Sequence, residues 1–113
     1  LTSRVGYRWG RTHQGLDLAA PTGTPIYASD GGTVTISGWQ GGYGYVIYIN
    51  HGNGYETRYG HNSKLLVPQG SKVYKGQLIA LCGSTGNSTG PHLHFEIRKN
   101  GVYQDAGRIL GLY

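Results

Sequence analysis

Cysteine is almost missing from this sequence. Cys82 stands alone, so no internal disulfide can form. No apolar run approaches the roughly 20 residues that a transmembrane helix needs, so no membrane segment is expected in this stretch. Basic residues outnumber acidic ones and the net charge is +5, yet no Lys/Arg block forms a nucleic-acid tract. The charge reads either as an ordinary basic surface or as attraction to a polyanion, such as nucleic acid or an anionic cell wall, and does not by itself choose. Without a basic tract, no nucleic-acid partner is expected. Helical periodicity is absent beyond one turn near 106–112. There is no repeat, linker or low-complexity segment, and 21 glycines carry no Gly-X-Y period. Carboxylates are scarce: Asp17, Asp30, Glu56, Glu96 and Asp105 are all there are. Any site that needs an acidic ligand must draw on these.

What is present points to strands and tight turns. The 113 residues fit a single domain, spanning 1–113. The chain opens on Leu rather than Met, so it is expected to be a piece of something longer. Gly-, Pro- and Asn-rich turn signals separate short β-prone runs at 25–28, 33–38, 45–50, 55–61, 77–82 and 92–99. Asn53-Gly54 predicts a tight hairpin between two of them, because both positions tolerate positive φ. The expectation is an all-β, mostly antiparallel domain.

The run 92–99 alternates strictly. Leu93, Phe95 and Ile97 fall on one face, and His92, His94 and Glu96 on the other. Two imidazoles on one strand face stand roughly 7 Å apart at their Cβ atoms. That spacing suits one metal ligand and one neighbour that acts on what the metal binds. Catalytic zinc takes three protein ligands and keeps one position open. His13 and Asp17, in "HQGLD", are candidates for the others, provided the chain bends between them, and Gly15 permits a bend. Taken alone, His-x-x-x-Asp is a weak motif, and a polar loop is the favoured reading of that stretch. His61 ends the strand "YETRYGH", where parity places it with Tyr55, Thr57 and Tyr59. If that strand lies beside 92–99, His61 reaches the same site. There is no His-Glu-x-x-His helix to supply a glutamate base, so a zinc hydrolase here would need another base, for which His61 and His92 are candidates. Glu96 shares the histidine face and is placed to hydrogen-bond a ligand imidazole. Trp39, Tyr43 and Tyr45, with Trp9, are candidates to line a trench for an extended peptide. His51 opens the hairpin turn and reads as structural.

"HQGLDLAAPTGTPIYAS", "INHGNGYETRYGH" and "TGNSTGPHLHFEI" together resemble the lysostaphin/LytM-type zinc endopeptidases of bacterial peptidoglycan. The likeness runs from about Gly6 to about Asp105. It implies one Zn²⁺ held by His13, Asp17 and His94, with His61 and His92 flanking the metal as the catalytic pair. It implies a peptidoglycan substrate and an extracytoplasmic setting, in the cell wall, on the cell surface or in the periplasm. Which histidine is the base stays open. Asn62 departs from the family pattern, which more often has an apolar residue after the histidine. Two other readings compete. One is a metal-binding but non-catalytic scaffold domain of the same family. The other is a cysteine peptidase built on Cys82.

Overall fold

The computed structural model describes residues 8–11, 15–86 and 88–104, the first four by their main chain. His13, the turn expected near 106–112 and the side chain of Trp9 lie outside the described residues. Ten strands follow one another: β1 Arg8–Arg11, β2 Leu16–Ala19, β3 Pro25–Tyr27, β4 Gly32–Trp39, β5 Tyr45–Gly52, β6 Tyr55–Leu65, β7 Lys72–Val73, β8 Leu78–Cys82, β9 His92–Lys99 and β10 Val102–Gln104. Their pairings are antiparallel throughout. The sheet order is β1-β2-β9-β6-β5-β4-β7, with β10 on β9 and β8 joining β6 to β3. A single 3-10 turn, Gly41–Tyr43, interrupts the described strands. No helix among the described residues is long and apolar enough to cross a membrane.

The alternation in β9 sets the layering. Leu93, Phe95 and Ile97 enter the core, where Leu16, Leu18, Ile47, Ile49, Tyr59 and Ile79 meet them. Burial of each such large side chain stabilises the fold by roughly 1.5–3 kcal/mol. His92, His94 and Glu96 therefore face the opposite side of the sheet. β9 lies between β2 and β6, so this second face gathers side chains from all three strands.

Turn chemistry holds the strands in register. Asn53 (φ 52°) and Gly54 (φ 82°) close the expected β5–β6 hairpin with positive φ at both central residues. Asn100 (φ 52°) and Gly101 (φ 82°) do the same between β9 and β10. That second Asn-Gly hairpin was equally legible and is absent from the expected strands, as are β1, β2 and β7. These strands have two to four residues, too few for a periodic signal. In β2 the "LDL" run still shows the alternation: Leu16 and Leu18 are buried and Asp17 is not.

Candidate active site

Register brings Asp17 and His94 together. They are direct partners in the β2–β9 ladder, and Gly60 of β6 faces His94 from the other side. Asp17 Oδ1 lies 2.7 Å from His94 Nδ1 and 3.7 Å from His92 Nε2. The bend expected between His13 and Asp17 lies outside the described residues, but Gly15 itself shows a second requirement. Its φ lies outside the left-handed region, but a Cβ there would stand 2.6 Å from His94 Nε2. The glycine is needed because the imidazole occupies that space. Gly15→Ala is accordingly expected to push the His94 ring off Asp17 and Glu96. Histidine side-chain NMR shifts confined to this site would report it; unchanged His94 signals would count against the packing argument.

His61 reaches the site by a route that strand parity does not foresee. Tyr59 pairs with Phe95 and is buried in the core, and Thr57 Oγ1 and Tyr59 Oη hydrogen-bond at 2.7 Å on that same face. Continued alternation would send His61 into the core with them. Instead His61 has φ 64°, and the β5 partners shift register between Tyr45 and Ile47. This bulge turns the imidazole onto the histidine face. Its ring centroid lies 4.6 Å from that of His92 and 5.9 Å from that of His94. The shared face expected for Tyr55, Thr57, Tyr59 and His61 thus ends at the bulge. Asn62 occupies the apolar position inside it and is fully buried. Its Nδ2 donates to the carbonyls of Tyr45 (3.1 Å) and Tyr59 (2.7 Å), groups that a polar side chain can satisfy and an aliphatic one cannot.

Backbone carbonyls decide the tautomers of the two flanking histidines. His61 Nδ1 lies 2.6 Å from the Thr85 carbonyl, and His92 Nδ1 lies 2.9 Å from the Gly90 carbonyl. A carbonyl only accepts, so each Nδ1 carries the proton and each neutral ring keeps a lone pair on Nε2. Ser88 Oγ sits 3.1 Å from His92 Nδ1 and itself donates to Gly90 O at 2.7 Å, which ties the 83–91 loop to the ring. Burial lowers the His61 pKa below its usual value. The neighbouring His92 and His94 add to this, and the Thr85 carbonyl opposes it. The His61 ring is therefore neutral at pH 7.

His94 is the opposite case. Nε2 lies 2.8 Å from Glu96 Oε2, so each ring nitrogen faces a carboxylate. Both nitrogens donate, and the ring is a cation as the structure stands. Burial pulls its pKa down, but the hydrogen bonds to Asp17 and Glu96 outweigh that and hold it at about 9. Glu96 is 1% exposed. Burial raises its pKa, yet hydrogen bonds from His94, Tyr43 and Arg98 bring it to about 2.

The expected trench residues divide. Trp39 and Tyr45 are 55% and 41% exposed and pack edge to face at 5.3 Å. Tyr45 pairs with Asn62, beside His61. Tyr43 turns inward instead, and its hydroxyl donates to Glu96 Oε2 at 2.6 Å. His51 lies elsewhere, between the Gly31 carbonyl and Thr57 Oγ1, both at 2.7 Å, as a structural bridge. Cys82 is completely buried and its thiol is pushed up by that burial, so it has no access as a nucleophile.

Among the described residues no group of three His, Cys, Asp or Glu side chains is arranged to hold a metal. Asp17 and His94 provide two donors of suitable chemistry. His94 Nδ1 and Asp17 Oδ1 lie 2.7 Å apart, and an imidazole and a carboxylate brought together in this way are the donor types that would hold a divalent cation. The Nε2–H of His94 would stay on Glu96, the usual outer partner of a ligand imidazole. The residues present therefore fit zinc, with a third ligand still to be supplied.

Comparison with known proteins shows the family and the fold. The chain is similar to the peptidoglycan DD-endopeptidase ShyA of Vibrio cholerae, with 51% identity over 85 residues, covering 75% of this chain and 20% of that protein. It spans about a quarter or less of the length of such curated relatives. Its fold is similar to the catalytic domain of lysostaphin from Staphylococcus simulans, with a TM-score of 0.86 and 33% identity over 93% of this chain and 92% of that one. It is also similar to a zinc-containing peptidase from Vibrio cholerae, with a TM-score of 0.80 and 39% identity over 89% of this chain and 34% of that one. The sequence pattern of Peptidase family M23 matches residues 11–106, and the chain belongs to that family.

Proposed function

We propose that this domain is a zinc-dependent endopeptidase that hydrolyses peptide cross-links or stem peptides of bacterial peptidoglycan, outside the cytoplasm. The observation that carries the reading is the division of labour among three imidazoles on one sheet face. His94 has a carboxylate at each nitrogen, whereas His61 and His92 have Nδ1 pinned to carbonyls and Nε2 without a hydrogen bond among the described residues, His92 Nε2 lying 3.7 Å from Asp17 Oδ1. A metal ligand needs the first environment, and proton-transfer groups need the second.

His13, Asp17 and His94 would hold the ion. When bound, zinc supplies a Lewis acid for the scissile carbonyl and acidifies a water. His61 or His92 would take a proton at Nε2 from the attacking water and return it to the leaving amine. The other ring, having taken a proton from solvent, would donate to the developing oxyanion. The Thr85 and Gly90 carbonyls keep both rings turned for this. Trp39 and Tyr45, exposed beside His61, contact the substrate peptide, and the net charge of +5 favours an anionic wall.

The likeness to a DD-endopeptidase favours a direct D-alanyl cross-link over a glycine bridge. The test is digestion of one directly cross-linked and one glycine-bridged peptidoglycan, with zinc and with chelator, read by mass spectrometry. Zinc-dependent release of uncross-linked peptides from the first is expected. Trp39→Ala should raise KM and leave kcat unchanged, and an unchanged KM would remove Trp39 from the substrate path. Products that persist under chelation would overturn the metal dependence. No product from either substrate, with zinc bound, would favour a non-catalytic scaffold.

A further inference from the structure

We infer that Tyr43 is a positioning residue for His94, acting through Glu96; the inference builds on the zinc reading above. Glu96 divides its two oxygens. Oε1 accepts from Arg98 Nε and Nη2, both at 2.8 Å. Oε2 accepts from His94 Nε2 at 2.8 Å and from the Tyr43 hydroxyl at 2.6 Å. The oxygen that orients the imidazole is thus the one that Tyr43 holds. The direction of the tyrosine bond is settled by Arg58, whose Nη1 donates to the Tyr43 oxygen at 3.3 Å. A hydroxyl that accepts from a guanidinium has its single proton left for the carboxylate.

Tyr43 is itself fixed by glycines. A Cβ on Gly60, opposite His94, would stand 3.0 Å from Tyr43 Cδ1, so the ring lies over a strand position that lacks a side chain. Next to it, Gly44 has φ 65° and ψ −137°, and a Cβ there would stand 2.6 Å from Gly86 N. The turn carrying Tyr43 is therefore clasped against the Thr85–Gly86 loop, whose Thr85 carbonyl orients His61. One loop contact sets the hydroxyl that steadies Glu96 and lies beside the carbonyl that steadies His61. The same contact thereby joins the proposed metal side of the site to its proton-transfer side.

Tyr43→Phe removes one oxygen and keeps the ring over Gly60. Two readouts test it. The first, on protein stripped of metal, is the exchange rate of the His94 Nε2 proton with solvent, measured by NMR; Tyr43→Phe should speed it about tenfold. The second is zinc affinity by competition with a chelator, expected to weaken by about 10-fold, within the range seen for outer partners of metal ligands. In the Glu96→Gln background the same change should cost almost nothing, because the route through Glu96 is already broken. Unaltered exchange together with unaltered zinc affinity would overturn the inference. So would a full additional loss on top of Glu96→Gln, which would mean that Tyr43 acts by another path. A wild-type protein that binds no zinc would instead overturn the proposed function, and the proton-exchange comparison would still decide the role of Tyr43.

Discussion

His61→Ala and His61→Gly are expected to lose turnover alike, by about 10²–10⁴-fold, the usual share of a general acid–base group. Both should keep stoichiometric zinc, because His61 stands outside the proposed ligand set. They should differ in stability. His61 has φ 64°, where an L side chain costs roughly 1 kcal/mol or more and glycine costs little. Alanine keeps that cost and glycine removes it, and both truncate the same ring. His61→Gly should therefore be the more stable by about 1 kcal/mol, or about 4–8 °C in Tm for a domain near this size. Parallel melts, zinc analysis and single-turnover digestion would check all three points. Full activity in either variant would end the catalytic role. Equal melting temperatures would end the claim that the bulge is held under strain to deliver the imidazole.

The second large effect concerns His94 in protein stripped of metal. Folded, its pKa is held at about 9 by Asp17 and Glu96; unfolded, it returns to about 6.5. Between these values the folded chain keeps a proton that the unfolded chain has released, so stability falls as pH rises. The contribution is fully present below about pH 6.5 and gone above about 9, and it amounts to roughly 3 kcal/mol. Glu96 limits the other side: its pKa, lowered to about 2, gives stability that is lost as pH falls from about 4.5. His61 is shifted downward and titrates below the upper window. Thermal melts in chelator from pH 6 to 9.5 should show the decline. His94→Ala should abolish it together with stoichiometric zinc binding. Added zinc should flatten the curve if His94 is a ligand as proposed, since a metal and a proton would then compete for the same imidazole. A wild-type curve already flat in chelator would contradict the double carboxylate clamp. A His94→Ala variant that still holds stoichiometric zinc would remove His94 from the ligand set.

Much of this architecture is legible in one dimension because the signals are local. Strict alternation over 92–97 separates Leu93, Phe95 and Ile97 from His92, His94 and Glu96, and side-chain direction in a strand has a period of two whatever its partners. Asn53-Gly54 announces its hairpin because backbone preference belongs to the residues themselves. The glycine- and asparagine-rich punctuation and the missing helical period define an all-β chain for the same reason.

Other features depend on what comes to lie alongside. The side on which His61 emerges depends on a bulge, which arises where the ladders of β5, β8 and β9 meet on β6 and cannot be read from alternation within β6 alone. Gly15 permits a bend by its own nature, but the space that its missing Cβ leaves is taken by the His94 ring from a strand nearly 80 residues away. Tyr43 reads in sequence as a candidate trench residue, and its hydroxyl is claimed by Glu96 across 53 positions. The sequence by itself determined which residues could do chemistry and which strand face they share, since those follow from side-chain type and a period of two. Only the tertiary structure decided what each ring nitrogen of His61, His92 and His94 faces, because that depends on the carbonyl or carboxylate that folding sets against it.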